Sequence, residues 1–149
     1  MYRHILISTD GSEVAGKGLE QGLDLAKSLG AQVTIVTVTE SFPVYAASAE
    51  TAWYPGPHEI ESYETWQIEA AKQVLVAAKA AADKLGVAAE VIHVPNARPA
   101  DAIVETAKSQ GCDLIAMSSN GRRGLQRMLL GSQTADVLVH SPVPVLVVR

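Results

Sequence analysis

The chain is short of clustered positive charge, of cysteine and of long apolar runs, and each shortage removes a class of function. Lys and Arg number 12 against 16 Asp and Glu, for a formal net charge of −4 over 149 residues. Neutralising phosphates requires grouped cations, so this balance argues against a nucleic-acid or anionic-membrane surface. Arg122, Arg123 and Arg127 are a local exception. No apolar stretch approaches the ~20 residues that span a bilayer, and the first one, Ile5 to Ile7, gives way at once to Ser8 and Asp10. A soluble, cytoplasmic protein without membrane association is the expectation. The single cysteine, Cys112, excludes an internal disulfide and suits a reducing compartment. Its place ahead of an apolar run reads as packing at a strand start rather than reactivity.

Catalytic and metal signatures are missing as well. Histidines 4, 58, 93 and 140 are scattered, with no i,i+4 pair and no neighbouring Cys or carboxylate at metal-ligand spacing, so structural roles are expected. There is no Gly-x-Ser-x-Gly elbow, and neither Ser119 nor Cys112 has a base identifiable from sequence. No catalytic residue is assigned.

What the chain does have is apolar content, 48% of residues, with no linker-like stretch to divide it, so residues 1–149 read as one domain with one core. Three segments repeat a pattern: AKSLGAQVTIVTV from Ala26, ADKLGVAAEVIHV from Ala82 and AKSQGCDLIAMSS from Ala107 each run from a helix end through Gly into a strand. Gly30, Gly86 and Gly111 stand where a left-handed residue closes a helix, and the β-branched runs behind them suit strands buried on both faces. With HILIST from His4 and VPVLVV from Val143, the count is five strands and four helices, an α/β chain with a parallel, doubly wound sheet.

Helix positions follow from spacing. Ala15, Leu19, Gly22, Leu23, Ala26 and Leu29 share one face of the first helix, and Ile68, Ala71, Leu75, Ala78, Ala82 and Leu85 form the stripe of the second. Pro99 opens the third, with Ala100, Ile103, Val104 and Ala107 facing inward. The fourth is expected from Ser132 to His140, stopped by Ser141-Pro142. Residues Glu40 to His58, with three prolines, fit neither period and read as a long loop. Six of the seven aromatic side chains lie between Phe42 and Trp66, so this region covers something apolar: the sheet, a partner subunit or a ligand base. Pro142 and Pro144 place the last strand at an edge, where its apolar VLVV run asks for cover by a second subunit.

The functional candidate is the stretch MSSNGRRGLQRMLLGSQT from Met117. Strand-to-helix connections usually take about two to six residues, whereas Ser118 to Gly131 spans fourteen. Glycines 121, 124 and 131 let backbone N–H groups approach a ligand, the arginines add charge, and Ser132 opens a helix whose N-terminus favours phosphate. The alternative is a plain surface loop. A rival match, Gly11 to Lys17 at P-loop spacing, fails because Gly18 replaces the magnesium-binding Ser or Thr, and Asp10 and Glu13 would repel phosphates. Ser12 reads instead as a helix N-cap. Asp10 sits at a strand's carboxyl end, where open parallel sheets bind ligands; it reads equally as a helix-capping carboxylate.

The DGSE at Asp10, the helix-Gly-strand units, CDLIAM at Cys112, NGRRGLQRMLLGS and the ending SPVPVLVV together resemble the universal stress protein family over nearly the whole chain, residues 40 to 66 excepted. The resemblance implies an open, Rossmann-like five-stranded parallel sheet of order 3-2-1-4-5 flanked by four helices, and homodimers joined through the last strand, Val143 to Val148. Nucleotide-binding members share a signature of Gly, two residues, Gly, nine residues, then Gly followed by Ser or Thr. Gly121 and Gly131-Ser132 satisfy its latter part, whereas Ser118 stands in place of the first Gly.

Carried across, the resemblance implies an adenine nucleotide, ATP with or without Mg2+, with its base near Ser8, Asp10 and Val38 and its ribose and phosphates on Met117, Ser118, Gly121, Arg122, Gly131, Ser132 and Gln133. If residue 118 needs positive φ, a serine there costs on the order of 1 kcal/mol or more; if φ is negative, its hydroxyl adds a ribose or phosphate contact. The implied function is that of a dimeric, ATP-binding stress-response or signalling protein with at most slow hydrolysis. A rival is a member without nucleotide that works through dimer or partner-protein contacts. An adenylate-forming enzyme is disfavoured, since neither His-x-Gly-His nor Ser-Gly-Gly-x-Asp-Ser is present.

Overall fold

A computed structural model describes residues 1–42, 55–120 and 130–149. Along the chain run β1 (His4–Ser8), α1 (Glu13–Leu29), β2 (Gln32–Val38), α2 (Pro57–Leu85), β3 (Ala89–Val94), α3 (Pro99–Ser109), β4 (Leu114–Ser118), α4 (Ser132–His140) and β5 (Val145–Val148). All strand pairs are parallel, in the order β3-β2-β1-β4-β5. The central strand is paired on both edges, Ile7 standing opposite Ile35 of β2 and Ala116 of β4.

Side chains of a strand alternate between faces, and here each face has its own core. Ile5 and Ile7 pack with Leu23 and Ala26 of α1 and Leu75, Ala78 and Ala82 of α2. Leu6 turns the other way, joining Ile103, Val104 and Ala107 of α3 and Val137 of α4. This two-sided burial is why the strand sequences read as continuous apolar runs rather than alternating ones.

Helix ends follow the chemistry read from the sequence, with small shifts. Ser12 caps α1, its Oγ accepting from Ala15 N at 3.2 Å, and Gly30 and Gly86 close α1 and α2 in the left-handed conformation. At α3 the cap is Gln110, and the left-handed residue, Gly111, comes one place later. The strands are shorter than expected at two points, β1 ending at Ser8 and β5 beginning at Val145.

The largest departure is in α2. The expected loop extends to His58, yet the helix opens at Pro57, where proline's missing N–H leaves no bond unmade. Ile68, expected on the buried stripe, is 56% exposed. Helix length explains it: the 29 residues of α2 span about 43 Å at 1.5 Å each, while the 7 of β2 span about 23 Å. The N-terminal half of α2 therefore runs past the strands, and the turn carrying Ile68 has no sheet beneath it. Residues 43–54, the greater part of the expected loop, lie outside the described residues.

Polar groups within the fold have specific partners. His4 Nε2 meets Thr34 Oγ1 and His93 Nε2 meets Thr39 Oγ1, both at 2.8 Å. Burial holds His93 below its ordinary pKa. Burial likewise pushes the Cys112 thiol up to about 11, leaving it protonated and packed against the α3 side of the sheet. Asp113 ties the starts of β1 and β4 together, its carboxylate accepting from Arg3 N at 2.9 Å and His4 N at 3.1 Å. Burial alone would raise its pKa, but these backbone donors outweigh it and hold the carboxyl below the usual value. A lowered carboxyl pKa contributes stability that is full above the unfolded value near ~3.9 and is lost as pH falls through the folded one. Asp113→Ala should cost about 1 kcal/mol at pH 7, given its partial exposure. Urea melts should show that difference shrinking as pH drops below about 4; a constant difference would exclude the ionised carboxylate as its source.

Candidate functional site

Reversal of direction at β1 opens a crevice. The chain passes from β1 to β2 and β3 with α1 and α2 on one face, then returns through α3 to β4 beside β1, with α4 following on the other face. In such sheets the carboxyl ends of the strands at the reversal point stand apart, and ligands sit between them. Here that place is a cavity of about 620 Å3, within the size range of small-molecule sites.

Most residues singled out from the sequence line it. Ser8 and Asp10 come from the tip of β1, Val38 from β2, Met117 and Ser118 from β4, and Gly131, Ser132 and Gln133 from the start of α4. Gly121 and Arg122, with Arg123, Gly124 and Arg127, lie outside the described residues.

Asp10 shapes the turn into α1 rather than capping the helix itself. Its Oδ1 accepts from Ser12 N at 2.9 Å, Thr9 Oγ1 accepts from Gly11 N at 3.3 Å, and Gly11 adopts φ 78°. The Gly11 to Lys17 stretch is no phosphate loop, because residues from Glu13 onward are helical.

Ser118, the departure from the signature, sits without strain. Among the described residues only Asn96 combines a side chain with positive φ, so Ser118 lies outside the left-handed region. Its hydroxyl donates to Asn120 O at 2.7 Å, closing a turn within the chain. The first residues of α4 are anchored to this turn: Gly131 N donates to Ser119 O at 2.8 Å, and Thr134 Oγ1 donates to Ser118 O and Ser119 O at 3.1 and 3.2 Å. A Cβ at Gly131 would stand 3.0 Å from Ser119 O and 3.3 Å from Asn120 Oδ1, so the close approach that requires glycine is to the chain's own backbone. Gln133 Oε1 accepts from Ala100 N at 3.0 Å, capping α3, and the donors the residue retains are its backbone N–H and its side-chain NH2.

The start of α4 has the electrostatics of an anion site. Among the described residues no side chain caps it, and the N–H groups of Ser132, Gln133 and Thr134 have no hydrogen-bond partner there. Unpaired first-turn amides and the helix dipole together favour negative charge.

Two features went unread or only half-read in the sequence, the first being the aromatic stretch ending at Trp66, expected over the sheet, a partner subunit or a ligand base. Tyr63, Trp66, Gln67, Ala70 and Val74 of α2 form a wall of the cavity. Their helical spacing was legible once α2 is extended toward its N-terminus. Gly18 is the other: a Cβ there would stand 2.9 Å from Ser118 N and 3.3 Å from Met117 C, so α1 lies against the very backbone that ends β4.

Comparison with known proteins agrees with this arrangement. The universal stress protein family model matches residues 1–149. The chain belongs to the universal stress protein family. Among its relatives is universal stress protein YxiE of Bacillus subtilis, 34% identical over 149 residues, with 100% of both chains covered. Among solved structures, hypothetical protein MJ0577 superimposes with a TM-score of 0.78 at 30% identity, covering 99% of this chain and 96% of that one. The universal stress protein from Archaeoglobus fulgidus in complex with dAMP superimposes with a TM-score of 0.71 at 21% identity, covering 99% and 98%. At that identity the likeness speaks for the fold alone.

Gly16 and Gly18 separate helix propensity from close packing. A Cβ at Gly16 meets nothing within 4 Å, whereas one at Gly18 meets the Ser118 backbone. Gly16→Ala should therefore stabilise this universal stress protein by about 0.5–1 kcal/mol, and Gly18→Ala should destabilise it by about 1–3 kcal/mol. Denaturant melts of the two variants should move in opposite directions; a gain at both positions would show that α1 does not bear on β4.

Proposed function

We propose that this universal stress protein binds an adenine nucleotide, ATP with or without Mg2+, in the crevice and acts as a dimeric stress-response or signalling protein. The observation that carries the reading is the first turn of α4. Its amides at Ser132, Gln133 and Thr134 border the cavity without partners among the described residues, and such a turn is suited to phosphate oxygens. Family membership and the dAMP complex of a structural neighbour lend support.

In this reading the base lies toward Ser8, Asp10 and Val38, and the ribose and phosphates toward Met117, Ser118, Gly131, Ser132 and Gln133, with Gly121 and Arg122 contributing from outside the described residues. Mg2+ is commonly held by phosphate oxygens and one or two carboxylates, and Asp10 supplies a carboxylate at the crevice. Self-association through the last strand is supported by the position of β5, an edge strand whose Val145, Leu146 and Val147 are half-buried. A lone cysteine, Cys112, with no partner for an internal disulfide fits a reducing, cytoplasmic setting.

Denaturing freshly purified protein should release an adenine nucleotide near one per subunit, or stripped protein should take up added ATP by calorimetry. Release of none together with no uptake would defeat the reading. Ser118→Gly, which restores the signature residue, should bring no gain in ATP affinity, because Ser118 has no left-handed strain to relieve and its hydroxyl holds the Asn120 turn. A severalfold tightening in the same titration would refute that account of the site.

A further inference from the structure

The α2 wall carries polar groups whose orientation is fixed by the chain itself. Tyr63, Gln67, Ala70 and Val74, spaced four, three and four residues apart, share one helix face and line the cavity. The ring of Tyr63 is packed edge-on against Phe42 at 5.0 Å with an interplanar angle of 71°. Gln67 Nε2 donates to Tyr63 Oη at 2.9 Å and to Glu40 O at 3.4 Å. A backbone carbonyl only accepts, so the contact with Glu40 O sets the amide nitrogen rather than Oε1 on that side. Both amide protons are thereby engaged, while Oε1 accepts no hydrogen bond among the described residues. Tyr63, having accepted, still has its own proton to donate.

The crevice wall nearest the end of β2 therefore carries one acceptor, Gln67 Oε1, and one donor, Tyr63 Oη, that the chain itself leaves unmatched among the described residues. We propose that Gln67, with Tyr63, reads the amino-bearing edge of the bound base: Gln67 Oε1 accepts from an exocyclic amine and Tyr63 donates to the adjoining ring nitrogen. This rests on the nucleotide-binding reading above and adds a specificity element on α2 to the strand tips. An oxo group in place of the amine sets two acceptors against each other. Leaving such groups without a donor in a confined site is what makes hydrogen-bonding pockets selective. The ligand class is thus a 6-amino rather than a 6-oxo purine nucleotide.

Paired titrations with ATP and ITP, which differ in that group, test the proposal by calorimetry. The unaltered protein should bind ATP about tenfold or more tightly than ITP. Gln67→Leu should weaken ATP about tenfold and leave ITP within about twofold, and the retained ITP affinity serves as the check that the site is folded. Tyr63→Phe, which keeps the ring against Phe42 and removes only the hydroxyl, should lower the ATP-to-ITP ratio severalfold. A wild-type preference for ATP that both variants retain overturns the assignment to α2 and leaves nucleotide binding standing. Binding of neither nucleotide by the unaltered protein overturns the nucleotide reading and this inference with it.

Discussion

The strand β1 is buried on both faces and hydrogen-bonded along both edges, and the geometry of the molecule radiates from that constraint. Ile5, Leu6 and Ile7 are each 0% exposed. Because their side chains alternate, helices must cover both faces of the sheet, and because β2 and β4 flank the strand, the two connections leaving its neighbourhood run to opposite sides. A gap at the carboxyl tips is the unavoidable result. The crevice is thus a by-product of how the core is satisfied, and Ser8, Asp10 and Ser118 meet there because their strands end there.

A second constraint works at shorter range. Gly18 lets α1 rest against the backbone at Ser118, the Ser118 hydroxyl closes a turn on Asn120, and Thr134 and Gly131 fasten the start of α4 to the same turn. Helix, strand and turn are therefore coupled through backbone groups, with little room for side chains between them. Such a shell holds the α4 amides in place, and donors held in advance favour an anion more than mobile ones do. Across the crevice, the aromatic and amide groups of α2 offer a different chemistry, so the two sides suit the two ends of an amphiphilic molecule.

Much of the fold was legible in the sequence because its signals are local. The glycine after each of the first two helices, the proline at the head of α3 and the Ser141-Pro142 stop after α4 depend on backbone conformations that few other residues provide. Where burial depends on distant partners, legibility failed: Ile68 carries the right period but lies on a turn that has outrun the sheet. The candidate site was legible in the same uneven way. Strand tips and the helix start at Ser132 could be read as termini of local patterns, whereas the wall of α2 depends on a helix that crosses the crevice from another part of the chain.

Sequence alone determined the alternation of strands and helices, the family, and the replacement of the signature's first glycine by Ser118, since each is a matter of which residue follows which. Tertiary structure alone decided what that serine does. Its backbone angle, the acceptor its hydroxyl finds in Asn120 and the closeness of Gly18 arise from three segments meeting in space. The same holds for Gln67, whose amide is fixed by a carbonyl 27 residues earlier in the chain. A residue's type sets which bonds it is able to make, and only the folded arrangement of its neighbours selects among them.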